Sequence, residues 1–215
     1  MWLRPKRSSK QSNNKFMKHI IAFVLLIVAG SAFAANGFRP LFNGKDLTGW
    51  KLRKDGGDKT WSVKDGILVN DVSGGKHGTD LVSEAKFQDF VLRYEYKIAK
   101  GANSGVYLRG RIEIQVLDDF ERARPTKGGN GAIYNTAPVA KFASKPADEW
   151  QTAEATIKGD KVTVILNGEK VHDNVTVDKA TGGELDKNMD QPGPIMLQGD
   201  HGSISFRKIE IKELK

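Results

Sequence analysis

Phe90-Val91-Leu92-Arg93-Tyr94-Glu95-Tyr96-Lys97-Ile98 alternates between two kinds of side chain. Successive side chains of an extended chain point to opposite faces, so Phe90, Leu92, Tyr94, Tyr96 and Ile98 share one face. Val91, Arg93, Glu95 and Lys97 share the other. A helical period of about 3.6 would scatter both sets around the axis, so the stretch reads as a strand with one face in a core.

Outward from it, hardly any segment after Gly37 carries the i, i+3, i+4 apolar stripe of a helix, whereas short alternating runs recur between Gly, Asp, Asn and Pro. Residues 106–109 and 111–116 are expected to be strands joined at Gly110, where a residue without Cβ turns or bulges readily. Residues 150–157 and 161–166 flank Lys158-Gly159-Asp160, and Asn167-Gly168 suits a type I′ hairpin turn into Glu169-Lys170-Val171. Residues 195–198 and 204–211 close the chain. The expectation is an all-β fold, a two-sheet antiparallel β-sandwich in one domain over residues 35–215. Two stretches, 118–130 and 177–194, lack a strand period, and long loops in a compact domain are commonly functional or disordered.

The first 34 residues stand apart. Met17, Lys18 and His19 precede an apolar run over residues 20–29, and Ser31-Ala32-Phe33-Ala34-Ala35 supplies the small residues that signal peptidase reads. Cleavage of this signal peptide is expected near Ala34, with the true start at Met17 and residues 1–16 a basic extension without apolar period. The apolar run is well short of the roughly 20 residues that cross a bilayer core, so no stable membrane span is expected after cleavage. The protein would then be periplasmic or secreted. This leader holds six Lys or Arg and no Asp or Glu, so its loss lowers the formal charge from +8 to +2. A nearly neutral domain without a Lys/Arg stripe lacks the basic face that binds nucleic acid, and no nucleic-acid partner is expected. The absence of cysteine excludes disulfides, thiolate metal sites and thiol nucleophiles.

The alternation over residues 106–116 puts Val106, Leu108, Ile112, Ile114 and Val116 on one side and gathers Tyr107, Arg109, Glu113 and Gln115 on the other. A one-residue bulge near Leu117 would add Asp118 to that polar face. Two carboxylates on one sandwich face are the minimum equipment for glycosidic chemistry, although an ordinary outward face shows the same pattern. Tyr107 and Arg109 add donors and an aromatic surface for a sugar ring. In Gln198-Gly199-Asp200-His201-Gly202 the histidine ends a predicted strand, where it suits a base near neutral pH or a solvated turn equally. Trp50, Trp61 and Trp150 are expected to pack in the core or at a sheet edge. No Gly-x-Ser-x-Gly supports a serine nucleophile, and no His-x-His or His-Glu-x-x-His preassembles zinc. The cofactor is left open, with a divalent cation such as calcium or magnesium on carboxylates as one possibility.

A series of short motifs runs along the domain. It comprises Leu41-Phe42-Asn43-Gly44-Lys45-Asp46-Leu47-Thr48-Gly49-Trp50, Trp61-Ser62-Val63-Lys64-Asp65-Gly66, Asn103-Ser104-Gly105-Val106-Tyr107-Leu108-Arg109 and Glu113-Ile114-Gln115-Val116-Leu117-Asp118. Gly131-Ala132-Ile133-Tyr134, Lys145-Pro146-Ala147-Asp148-Glu149-Trp150, Gly193-Pro194-Ile195-Met196-Leu197-Gln198 with His201-Gly202, and Phe206-Arg207-Lys208-Ile209 follow. In order and spacing these resemble the 3-keto-disaccharide hydrolase domain family. The resemblance implies a concanavalin A-like, laminin G-like jelly roll and a carbohydrate substrate, a glycoside already oxidised to a ketone at C3. Asp148 and Met196 stand where that family often has Gly, and Lys208 where it often has Asn. Met196 is expected to share the face of Gln198 and narrow the groove.

A C3 carbonyl acidifies the C2 proton, so a base can form an enolate that expels the C1 substituent before water adds. On the predicted faces, Glu113 or His201 is the base, and Arg109 and Tyr107 are oxyanion donors. Gln115, Asp118, Tyr134 and Gln198 are substrate or metal contacts, and Asn103 is a further substrate contact. Two other trades suit the same fold. One is a non-catalytic, lectin-like carbohydrate-binding module. The other is a laminarinase-like retaining glycanase, which would find Gln115 where its middle acid should stand.

Overall fold

The computed structural model describes residues 1–2, 36–54, 59–122 and 124–215. The chain divides into two units, Met1–Ala32 and Phe33–Lys215. The signal-peptide pattern and its expected cleavage site lie outside the described residues. Among those residues no helix is long and apolar enough to cross a membrane.

The second unit contains two antiparallel sheets. One runs, in spatial order, β11 (Glu169–Thr176), β10 (Lys161–Leu166), β9 (Gln151–Lys158), β6 (Phe90–Ile98), β13 (Ile204–Glu213), β4 (Ile67–Asn70) and β3 (Trp61–Lys64), with short β1 (Arg39–Pro40) also on β13. The other runs β2 (Trp50–Leu52), β5 (Leu81–Phe87), β12 (Gly193–Leu197), β7 (Asn103–Leu108) and β8 (Ile112–Leu117). Two 3₁₀ turns, Ser73–Gly75 and Phe120–Arg122, are the helical elements among the described residues.

The alternation of β6 decides which face is inside. Phe90, Leu92, Tyr94, Tyr96 and Ile98 are all buried, and on β9 the partners of Tyr94 and Leu92 are Ala153 and Ala155, so large side chains stand beside small ones. From the second sheet Val106, Leu108, Ile112, Ile114 and Val116 join the same core. Each such side chain contributes roughly 1.5–3 kcal/mol on burial. Truncating one, as in Leu92→Ala, would cost about 2–5 kcal/mol. Trp50 and Trp61 are buried in this core, whereas Trp150 lies under the Arg207 guanidinium, 4.0 Å from the ring centre.

Turn chemistry explains several local choices. Asn167 and Gly168 have φ of 52° and 85°, the positive pair that a type I′ hairpin turn requires. Lys208, at φ 50°, sits where the β13–β6 register slips between Arg207 and Glu210, and Asp148 has φ 62°. Asn and Gly enter this left-handed region with least strain, so Lys208 and Asp148 occupy it at some conformational cost.

The outer face of the second sheet is covered over β7 and β8, while Lys51 on β2 and Glu84 and Lys86 on β5 stay exposed. Residues 177–192 cross this face, with the Thr181 N–H donating to Arg111 O at 3.1 Å and the Leu185 N–H to Gly110 O at 2.9 Å, and the expected irregular stretch ends earlier than 194 because β12 begins at Gly193. Leu185 packs there against Val82, Tyr107 and Met196. Hence β7 and β8 are buried on both faces, and their polar side chains are enclosed with them.

Candidate active site

A hollow of about 300 Å³ lies on that covered face, lined by Asn103, Tyr107, Glu113, Gln115, Tyr134, Gly182, Gly183, Gln198 and His201. Pairing of β7 with β8 builds its floor. Tyr107 stands opposite Glu113, and Gly105 opposite Gln115, in an uninterrupted register. Alternation therefore brings Asn103, Tyr107, Glu113 and Gln115 to one side. Tyr134 joins them because its N–H donates to Glu113 O at 3.0 Å. Gln198 follows β12, and its N–H donates to Gly105 O at 2.9 Å.

Glu113 is 3% exposed, and its N–H is held by Thr181 Oγ1 at 2.9 Å. Burial disfavours the carboxylate and lifts the pKa to about 7, against the downward pull of a hydrogen bond from Tyr107 and the charge of His201. Asp80 and Asp200 reinforce the rise. Burial, then the charge of Glu113, pushes the Tyr107 hydroxyl well above its ordinary value, so it stays a proton donor. The His201 Nδ1 contacts the Asp200 carboxylate, which leaves Nε2 for a ligand.

Three amides complete the lining. Gln115 Oε1 accepts the Val116 N–H at 3.1 Å, so the group it can offer a ligand is its NH₂. Asn103 Oδ1 and Gln198 Oε1 are buried without a hydrogen-bond partner. Such acceptors are costly to leave empty in a folded interior and suit the hydroxyl hydrogens of a polar ligand.

Two predicted residues fall elsewhere. Arg109 was expected on the polar face as an oxyanion donor, but it occupies the β7–β8 turn at φ 53°, followed by Gly110 at φ 67°. The turn breaks the alternation and aims the guanidinium at Gln88 O (2.6 Å), Asp89 Oδ1 (2.9 Å) and Met189 O (3.3 Å). Asp118 was expected to rejoin Glu113 through a bulge. The register instead runs unbroken to Asn103 opposite Leu117, and Asp118 Oδ2 accepts the Gly101 N–H at 2.8 Å. Met196 does not narrow the hollow either, being fully buried beside Tyr107 under Leu185.

Gly182 and Gly183 also line the hollow and Asp80 and Asp200 act on Glu113, and strand alternation marks none of the four. The first two lie in a stretch already marked by its lack of period, and a glycine pair there was the available signal. Asp200 was visible as the neighbour of His201. A lone acid before β5 gave no such sign for Asp80. A larger hollow of about 500 Å³, lined by Leu117, Asp119, Arg122, Arg124, Thr126 and Gly129, offers less chemistry. Its carboxylate, Asp119, is occupied by Ser144 Oγ at 2.7 Å and the Asn130 N–H at 2.8 Å. Among the described residues, no three His, Cys, Asp or Glu side chains gather as a metal cluster.

Known proteins share this fold. Residues 37–212 match the family described as the 3-keto-alpha-glucoside-1,2-lyase-like domain. A 3-keto-disaccharide hydrolase of Bacteroides thetaiotaomicron is 29% identical over 168 residues, covering 64% of this chain and 58% of that protein. The chain thus spans a little over half the length of that relative. A solved structure from Parabacteroides distasonis, provisionally named a glycosyl hydrolase, is 32% identical with a TM-score of 0.67, over 83% of this chain and 84% of that one. The β-glucanase of Bacillus licheniformis, 12% identical with a TM-score of 0.55 over 83% and 97% of the two chains, shares the fold alone. With the motifs in order along one jelly-roll sandwich, the chain belongs to the 3-keto-alpha-glucoside-1,2-lyase-like domain family.

Proposed function

We propose that this domain cleaves glycosides of a sugar bearing a ketone at C3, by elimination across C1 and C2 followed by hydration. The observation that carries this reading is the Glu113 carboxyl, buried beside the hollow and poised at about 7, where a general base works best at neutral pH. Glu113 takes the C2 proton, and the electron pair left on C2 delocalises onto the C3 oxygen. Collapse of that enolate forms the C1–C2 double bond and releases the C1 substituent, whose oxygen takes a proton from the His201 side. Water then adds its oxygen to C1 and a proton to C2, so the net change is hydrolysis.

The other residues serve this route. The Gln115 NH₂ and the Tyr107 hydroxyl stabilise the developing oxyanion, the function left vacant by Arg109. Asn103 Oδ1 and Gln198 Oε1 accept from sugar hydroxyls. A retaining glycanase is less well supported, because it needs a second carboxylate about 5 Å away, and Gln115 and Asp118 supply none in the hollow. The names of the family and of the Bacteroides relative support the 3-keto substrate. We propose further that the domain acts outside the cytoplasm, which the signal-peptide pattern supports and N-terminal sequencing of the purified protein would test.

The reaction is tested in D₂O with a 3-keto-glucoside. Elimination and hydration place deuterium at C2 of the product, and Glu113→Gln abolishes turnover. Wild-type turnover by Glu113→Gln would refute the mechanism, and binding of sugar without cleavage would favour the lectin-like module.

A further inference from the structure

We propose that Arg53 is a positioning residue that ties together the two loops walling the hollow and holds Gly183 against the Tyr107 hydroxyl. The inference rests on the reading of the hollow as the reaction site. Arg53 directly follows β2 and Asp80 directly precedes β5, and the Arg53 N–H donates to Asp80 O at 2.8 Å, one step beyond the Leu52–Leu81 pair. The Arg53 Nη1 donates to Asp80 Oδ2 at 3.0 Å and to Gly183 O at 2.8 Å, and Nη2 to Glu184 O at 2.9 Å. Asp80 Oδ1 meanwhile accepts the Gly199 N–H at 3.0 Å. One guanidinium and one carboxylate thus link residues 183–184 to the loop that carries Gln198 and His201.

The chemistry calls for arginine. Three acceptors on two segments fit a rigid fork of several donors, whereas a lysine ammonium is a single point on a flexible stem. The anchored loop is placed tightly, because Gly183 has φ 69° and a Cβ there would stand 2.6 Å from the Tyr107 hydroxyl. Thr181 and Leu185 pin the loop at either side through backbone hydrogen bonds to Arg111 O and Gly110 O. Arg53 fixes the tip between them, and with it the shielding of Tyr107 and its partner Glu113 from water.

Glu113 reports on that shielding. The charged and titratable groups acting on it are Tyr107 from β7, His201 and Asp200 from the loop after β12, and Asp80 before β5. In ligand-free protein, a carboxyl ¹³C NMR titration of Arg53→Gln should place the Glu113 midpoint about one pH unit lower than wild type, as solvation is restored. Arg53→Lys should fall between the two, and amide exchange at residues 183 and 184 should accelerate in Arg53→Gln. Gly183→Ala, which pushes the loop off Tyr107 by a separate route, should lower the midpoint in the same direction. On a 3-keto-glucoside, kcat/KM of Arg53→Gln should fall about 10-fold.

An unchanged or raised Glu113 midpoint in both folded variants overturns the proposal, since a rise would mean that Arg53 supplies charge and not shielding. The titration uses no substrate. Failure of wild-type protein to cleave 3-keto-glucosides would therefore sink the functional reading, while a lowered midpoint would still establish the brace.

Discussion

Glu113 fills the space that Gly105 leaves open across the β7–β8 pair: a Cβ at position 105 would stand 2.9 Å from both Cγ and Cδ of Glu113, and closer still to Oε1. Gly105 is not among the residues with positive φ, so its backbone accepts alanine without left-handed strain. What the glycine provides is room. Gly105→Ala should therefore displace the carboxylate and lower kcat about 10²-fold. The melting loss should stay within that of a modest overpacking, about 1–3 kcal/mol. Wild-type kcat in the folded variant, read by steady-state kinetics beside a thermal melt, would show that the carboxylate need not lie where it does.

The pH dependence of stability follows from the same carboxyl. Folding raises the Glu113 pKa from 4.5 to about 7, so the folded protein holds the proton more tightly than the unfolded chain. The associated stability is complete below about 4.5 and is lost as pH rises through about 7. The loss is on the order of 3 kcal/mol. Glu113→Gln should remove this slope, melting above wild type at pH 8 while losing activity. Wild-type kcat/KM should climb with pH through about 7 as the base ionises. Denaturant titrations of both proteins between pH 5 and 8 check the first point, and parallel slopes would mean that Glu113 is not held protonated by folding.

Why some of this was legible in the sequence and some was not comes down to period. Strand alternation is local, so the buried face of β6 and the grouping of Tyr107, Glu113 and Gln115 could be read directly. Arg109 obeyed the same arithmetic on paper, but a turn with two positive φ values inverted its direction, and nothing short-range separates an arginine ending a strand from one in the turn after it. Asp118 failed for the opposite reason. A bulge was assumed where the ladder runs straight, and the Gly101 N–H captured the carboxylate. The contributions of Arg53, Asp80 and Gly183 arise from contacts far apart in sequence, with Arg53 and Gly183 separated by 130 positions, and leave no periodic trace.

Arg109 itself should prove structural. Its side chain is 3% exposed, so truncation takes one donor from Asp89, which keeps the Gly159 N–H at 3.0 Å, and leaves the Gln88 and Met189 carbonyls without their donor. Arg109→Met should cost about 1–3 kcal/mol of stability. Turnover per folded molecule should be largely kept, because none of these contacts reaches the hollow. Active-site titration alongside chemical denaturation separates the two effects, and a large kcat loss at full folding would return Arg109 to the reaction.

Asn103 and Gln198 should show binding and stability moving in opposite directions. Each keeps an amide oxygen buried and unpaired, a condition that costs about 1–3 kcal/mol unless a ligand fills it. Near-isosteric apolar replacements, Asn103→Leu and Gln198→Met, remove the empty acceptor while keeping most of the volume. Each variant should melt slightly higher than wild type and bind its sugar about 10-fold more weakly, by loss of one hydrogen bond to a hydroxyl. Melting curves and KM for a 3-keto-glucoside measure both quantities on the same preparations. A lower melting point with unchanged KM would mean that these oxygens are satisfied within the fold by bound water, and the hollow would lose the two groups that orient its sugar.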